Sequence, residues 1–261
     1  MRLLGTGAAG IRAQQLAIDT IGNNIANVNT LGYKESQTDF AEALSTQVQT
    51  ANPKFTGNTA ITTGVGAGVL TNGIGTNFQQ GTLSPTDRPL DLGIDGAGFF
   101  QVKTADGNTA YTRVGNFQVD GSGQFADMQG NLLQPSIKIP AGAINLKVSA
   151  KGNVSGDVAG KETTFGQISL VGFQNPEGLS KNADNLYTAT VNSGAPQVGQ
   201  PGSTMGNVTL GTIRGQSLEQ SNVDLATSMT DLIQAQRAYQ LNARLISDGD
   251  QMWGIANTIR R

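Results

Sequence analysis

The sequence predicts an α+β protein, helical at both ends and antiparallel and β-rich in the middle. Three observations carry that reading. Apolar residues recur at helical spacing after the N-terminus. A long C-terminal stretch lacks proline and repeats the same spacing. Between them, short apolar runs are broken by Gly, Asn and Asp every few residues.

The first helix is predicted from Leu3 to Val28. Leu4, Ile11, Ile18 and Ile25 recur every seven residues and form one apolar stripe. Asn27, Asn29, Thr30 and Gly32 then stop the helix with residues that suit caps and turns. The last helix is predicted from about Asn222 to Ile259, with Ser221 as its N-cap and Asp224 as the capping-box partner. It carries two apolar rows. One includes Leu225, Met229, Leu232, Tyr239, Ile246 and Trp253; the other includes Leu241, Leu245, Met252 and Ile255. Two rows exceed what a monomer's surface helix buries. One row fits against the N-terminal helix, and the other requires the β-domain or a second copy of the chain.

The boundaries follow from composition. Residues 1–34 and 219–261 form a terminal-helix domain, 35–82 an extended connecting stretch, and 83–218 the β-rich domain. In the last of these, Phe99-Phe100-Gln101-Val102 and Ala110-Tyr111-Thr112-Arg113-Val114 flank a turn at Asp106-Gly107-Asn108. Asp120-Gly121-Ser122-Gly123 marks another turn. Thr164–Phe173 reads as one strand and Asn185–Val191 as another. Regular turns between short strands suit a small antiparallel sandwich or barrel-like domain.

Composition narrows function. Lys and Arg total 17 against 19 Asp and Glu, so no basic excess exists to neutralise a nucleic-acid backbone. Histidine and cysteine are both absent, which removes Ser-His-Asp and Cys-His catalysis, zinc fingers and disulfides. Gly5-Thr6-Gly7-Ala8-Ala9-Gly10 has the bare spacing of a dinucleotide loop, but no strand precedes it to deliver that loop. Asp91 with Asp95, and Asp248 with Asp250, are the acidic pairs that carboxylate catalysis would use. Nothing in the sequence indicates a cleft around them, and they read as solvated aspartates. Asp120-Gly121-Ser122-Gly123 lacks the remaining ligands of a calcium loop. The expectation is no catalytic residue, no cofactor and no metal site. The apolar runs fall short of the ~20 residues a bilayer requires, and no sustained apolar segment near the N-terminus marks a cleaved secretory signal.

Three motifs carry a resemblance. Asn23-Asn24-Ile25-Ala26-Asn27-Val28-Asn29-Thr30-Leu31-Gly32-Tyr33-Lys34 resembles the N-terminal signature of bacterial flagellar rod and hook proteins. Ser221-Asn222-Val223-Asp224-Leu225, leading to Gln236-Arg237-Ala238-Tyr239-Gln240-Leu241-Asn242, resembles their C-terminal signature. Gly96-Ala97-Gly98-Phe99-Phe100-Gln101-Val102 and Tyr111-Thr112-Arg113-Val114-Gly115-Asn116-Phe117 resemble their shared central sheet. Within this family the length, the Gln-Arg-Ala-Tyr helix and the Thr/Gly-rich stretch after Lys34 look most like the distal rod members. The proximal rod paralogue of similar length is the alternative, and a non-flagellar binding module is the reading outside the family.

The resemblance implies a non-enzymatic structural subunit of the basal-body rod. Its paired terminal helices would form a coiled coil lining a tube, and the tube would carry torque from motor to hook. It implies a helical homopolymer that also meets proximal rod proteins, hook protein, the flagellar export apparatus and rod-surrounding ring proteins. It further implies type III export without a cleaved signal, residence in the rod across the envelope, and no role for nucleic acid. The expected assembly interface is Leu4, Ile11, Ile18, Ile25, Leu232, Tyr239, Ile246 and Trp253, with Asn23, Asn24 and Asn27 bonding backbone or neighbours at the exit from the first helix. The segment around residues 46–75 is expected to help straighten the rod.

Overall fold

The structure, a computed structural model, describes residues 2–43, 46–48, 63–65, 68–206 and 208–259. The chain forms two compact units. One comprises Met1–Ala26, Ser36–Gly75 and Asp224–Arg261; the other comprises Asn27–Glu35 and Thr76–Val223. The fold class is α+β, with a helix at each end and a β-rich centre.

In the helical unit, α1 (Arg2–Ala26) and α2 (Leu225–Ile259) pack against each other. The cap of α2 differs from expectation. Asp224, rather than Ser221, is the capping residue: its Oδ1 accepts from the amides of Ala226 at 2.8 Å and Thr227 at 3.3 Å. A carboxylate there also faces the positive end of the helix dipole, which a serine hydroxyl one turn earlier cannot match. The stretch expected to be merely extended contains paired strands. Ser36–Glu42 pairs with Val69–Thr76, and Thr46–Val48 runs antiparallel to Thr63–Val65. Residues 49–62, part of the segment expected to straighten the rod, lie outside the described residues.

The β unit is built on one antiparallel sheet. Its path runs Ser180–Lys181, Leu186–Thr188, Thr109–Thr112, Phe99–Lys103, Leu132–Gln134, Phe125–Ala126 and Gln118–Val119. Leu170–Gly172 bonds the start of Phe99–Lys103 on one side and Gln197–Gly199 on the other. Successive strand residues face opposite sides, so adjacent phenylalanines serve two cores. Phe100 joins Leu92, Ile94, Phe117, Phe125 and Ile168, and meets Phe117 edge to face at 5.3 Å. Phe99 joins Tyr111, Val171, Phe173 and Tyr187.

Two strand expectations are corrected. Thr164–Phe173 is not one strand. Lys161–Gln167 belongs to a three-stranded sheet with Ile144–Val148 and Asn153–Val158, whereas Leu170–Gly172 belongs to the main sheet. The break falls at Ile168, which is fully buried and whose amide donates to the Gly152 carbonyl. Asn185–Val191 shortens to Leu186–Thr188, because the Thr190 hydroxyl accepts from the Asn192 amide and opens a 3₁₀ turn over Val191–Ser193.

Charge is buried in this unit as well. Glu219 accepts from Lys34 Nζ at 2.6 Å through Oε1, and from Arg113 Nη1 at 3.4 Å through Oε2. All three side chains are buried. Burial pulls the Lys34 ammonium below the ordinary lysine value, and the Glu219 carboxylate opposes that pull. Burial likewise lowers the Arg113 guanidinium, which stacks 5.2 Å from the Phe99 ring centre. Removing one partner of such a cluster costs about 3–5 kcal/mol, because a charge is left uncompensated in the interior. Gly32, in a left-handed conformation (φ 63°), donates its amide to the Glu219 carbonyl at 2.8 Å. A side chain there would adopt a disfavoured backbone conformation and crowd Val114.

Tyr187 makes a direct test of the second core. It is fully buried, its hydroxyl has no hydrogen-bond partner among the described residues, and burial pushes its pKa well above the ordinary tyrosine value. Tyr187→Phe should therefore be neutral or stabilising by up to about 1 kcal/mol in denaturant unfolding at neutral pH. The pH dependence has a fixed sign. The raised folded-state pKa means that the stability contribution is intact below the unfolded value of 10.0 and is lost as pH rises beyond it. Unfolding above pH 10 should accordingly show a shallower alkaline loss in Tyr187→Phe than in the parent chain.

Candidate assembly surface

The contact between α1 and α2 brings glycines of α1 against Ile246 and Asn242 of α2, and small residues are prominent among the buried positions of both helices. On α1 the buried positions are Gly7, Ala13, Ala17, Thr20 and Asn24. On α2 they are Ser228, Ala235 and Gly249, with Leu232, Asn242 and Ile246 half-buried beside them. A Cβ placed on Gly7 would sit 2.9 Å from Ile246 Cγ1, and one on Gly10 would sit 2.8 Å from Asn242 Nδ2. Small residues at these points let the two backbones approach more closely than a leucine seam would allow. Ser228, Ala235, Asn242 and Gly249 recur every seven residues along α2.

Most of the large apolar residues are not buried in the pair. Ile11, Ile18 and Ile25 are half-buried rather than central to the seam. Leu232 and Ile246 are half-buried, Tyr239 is 37% exposed, and Trp253 is 56% exposed. Beyond them, α2 exposes Leu225, Met229 and Ile233 in its first half and Leu241, Leu245, Met252 and Ile255 in its second. The side chain of Leu4 lies outside the described residues. An α-helix that leaves this many large apolar groups in water has covered only one of its faces.

The three asparagines at the exit from α1 differ from one another. Asn24 is buried; its amide donates to the Ser36 carbonyl at 2.8 Å and its Oδ1 accepts from the Ser36 amide at 2.9 Å. Both bonds mimic a strand pairing and hold the chain where Ser36–Glu42 begins. Asn27 Oδ1 accepts from the Thr30 hydroxyl at 3.1 Å, within the turn. Asn23 is exposed.

Of the acidic pairs, Asp248 and Asp250 are both exposed, whereas Asp91 and Asp95 differ. Asp95 is exposed, but Asp91 is buried, with Arg88 Nε 3.9 Å from its Oδ1. The expectation of a solvated aspartate at position 91 is therefore corrected: its backbone bridges to Asn116 and draws the side chain inside. Sequence reading also assigned no role to Lys34, Arg113 and Glu219. Lys34 and Glu219 are 185 positions apart, so local spacing carries no sign of their contact. Lys34 closes the N-terminal motif and Glu219 lies just before the C-terminal one, and that placement is the available signal.

The seam makes a compensation experiment possible. Gly7→Val should weaken the helical pairing by about 1–3 kcal/mol through overpacking. Ile246→Ala combined with it should recover part of that loss, because Ile246 is the group that the new methyls meet. Helical circular dichroism of the full chain during thermal unfolding reads both effects.

The chain resembles known proteins along its length. Residues 4–34 match the profile of the "Flagella basal body rod protein" family, residues 93–156 that of the "Flagellar hook protein FlgE/F/G D1 domain", and residues 214–259 that of "Flagellar basal body rod FlgEFG protein C-terminal". It is 38% identical to the flagellar basal-body rod protein FlgG of Caulobacter vibrioides over 265 residues, covering 100% of both chains. It is 38% identical to that of Borreliella burgdorferi over 267 residues, covering 100% of this chain and 99% of the relative. It is 39% identical to that of Bacillus subtilis over 261 residues, covering 97% and 96%. The N-terminal match ends on the buried Lys34, and the C-terminal match contains Glu219 and the whole of α2. With full-length identity of this order and the terminal and central motifs all matched, the chain belongs to the flagellar basal-body rod protein family.

Proposed function

We propose that this chain is the distal-rod subunit, a structural protein that polymerises into a rigid helical tube and passes torque from motor to hook. The observation that carries the reading is the run of large apolar side chains exposed along α2, from Leu225 to Ile255. At about 25 cal/mol per Å² of apolar surface, covering such a run rewards association. Subunits related by a helical operator make head-to-tail contacts that do not close, so the product is a filament. Close-packed interfaces compress little, which suits a part that must resist twist.

In this reading α1 and α2 wind as a coiled coil, and neighbouring copies cover what the pair leaves open. Ile11, Ile18, Ile25, Tyr239 and Trp253 then face other subunits. Leu232 and Ile246 contribute at the edge of the small-residue seam. Asn24 acts within its own subunit by fixing Ser36, and Asn23 and Asn27 line the exit from α1. The proximal rod, the hook and the rod-surrounding rings are the partners at the ends and outside of the tube. Export proceeds through the flagellar type III apparatus without a cleaved signal. The protein catalyses no reaction and needs no cofactor.

Deleting the gene and imaging basal bodies by electron microscopy tests the assignment. A truncated rod without hook or filament is expected. A rod missing from its base would instead identify the proximal paralogue, and normal rods would overturn the structural reading. At the residue level, Leu241→Asp and Leu245→Asp should abolish swimming. Because both residues are exposed in the subunit, the same substitutions should change its unfolding free energy by no more than about 0.5 kcal/mol.

A further inference from the structure

The chain passes between its two units after residues 26, 35, 75 and 223. On the β-unit side, the segments beside the last three passages are bonded to one another. Lys34 Nζ donates to the Gln79 carbonyl at 2.7 Å as well as to Glu219. The Gly81 amide donates to Glu219 Oε1 at 2.9 Å. The Glu35 amide donates to Asn222 Oδ1 at 2.8 Å, and Asn222 Nδ2 donates to the carbonyls of Asn77 at 2.9 Å and Gln79 at 3.1 Å. Backbone bonds complete the lacing: Asn77 to Glu35 at 2.8 Å, and Gln220 to Thr82 at 2.9 Å. Three stretches far apart in sequence thus share one knot of buried charge and amide groups.

We infer that Lys34, Glu219 and Asn222 form a clamp that binds these three passages into one mechanical element, so that load entering by any one of them is shared by all three. The mechanical part of this inference rests on the rod reading; the clamp itself does not. Separate single-chain linkers extend and twist independently, because each has its own soft dihedrals. Linkers cross-bonded at their roots can yield only if several bonds open together. Glu219 serves all three passages, since it sits on one and bonds residues on the other two. Asn222 does the same with an uncharged side chain. Neither residue is one of the apolar side chains of α2 assigned to subunit contacts, so both are positioning residues.

Hydrogen exchange of the purified full-length chain, read by mass spectrometry, tests the clamp. Asn222→Ala removes three hydrogen bonds and leaves no buried charge unpaired. Exchange should accelerate by about tenfold or more, not only in residues 217–223 but also in 31–36 and 76–82, while the core strand Phe99–Lys103 stays unchanged. Glu219→Gln, which keeps a carbonyl acceptor for Lys34 and Gly81, should accelerate the same three segments. Acceleration confined to 217–223 in Asn222→Ala would overturn the inference. So would equal acceleration of Phe99–Lys103 in that variant, which would mean general loosening of the β unit. For the mechanical consequence, rods carrying Asn222→Ala should assemble but break more often when basal bodies are sheared. Unchanged breakage would overturn load sharing. Normal rods in the gene deletion would remove the rod reading and leave the exchange result standing.

Discussion

Glu219 is a single carboxylate buried between a lysine and an arginine, and much of the β unit's arrangement depends on it. A carboxylate in a protein interior is tolerated only when cations and hydrogen-bond donors replace its water. Glu219 finds Lys34 from the segment after α1, Arg113 from just past the end of strand Thr109–Thr112, and the Gly81 amide from the segment that leads into the β unit. Each of those groups has one place to be. Gly32 lies against the Glu219 carbonyl, and Arg113 lies against Phe99 and donates to the Gly96 carbonyl. The charge cluster therefore ties the Gly96–Phe99 turn, the exit from α1 and the approach to α2 to one point. A member of the cluster that loses its partner must either stay charged in the interior or neutralise, and both cost stability.

The helical unit follows a different economy. Its internal seam is rich in Gly, Ala and Ser, with Ile246 against Gly7, and most of its large apolar residues lie off that seam. A monomer built for its own stability would do the reverse, putting Leu and Ile inside and small or polar residues outside. Under the proposed rod reading the inversion suits a subunit that neighbours would cover: close backbone approach keeps the pair slim, and the exposed Leu, Ile, Met and Trp would meet the next copy. Such a chain gains much of its terminal order on association, where the apolar surface is at last removed from water. The two units thus divide the labour. The β unit is stabilised by its own two aromatic-rich cores, whereas the helices leave many large apolar side chains exposed.

This division also explains why the motifs cluster at the roots of the helices. Asn24 holds Ser36, Gly32 and Lys34 seek Glu219, and Asn222 gathers Glu35, Asn77 and Gln79. These residues make no apolar contribution of note. They fix where the chain turns, and a polymer repeats any error in that turn at every subunit. Polar groups with directional bonds suit the task, because a hydrophobic contact can slide whereas a two-donor, two-acceptor geometry cannot.

Periodicity and composition by themselves determined the fold class, both helices to within a few residues, the hairpin around Asp106-Gly107-Asn108, and the exclusion of histidine and cysteine chemistry. These features are local: a heptad stripe, a turn dipeptide or a missing residue type is visible in a short window. The motif at Asn23–Lys34 and the one running from Ser221 to Asn242 further pointed to the family. Only the tertiary structure decided which face of each helix meets the other. Both the Ile stripe and the Gly/Ala row have helical spacing, and the choice between them depends on how closely two backbones can approach. It alone divided Thr164–Phe173 between two sheets at Ile168, buried Asp91, and joined Lys34 to Glu219 across 185 positions. Such outcomes depend on what the rest of the chain places opposite a residue, and a single sequence does not record that pairing.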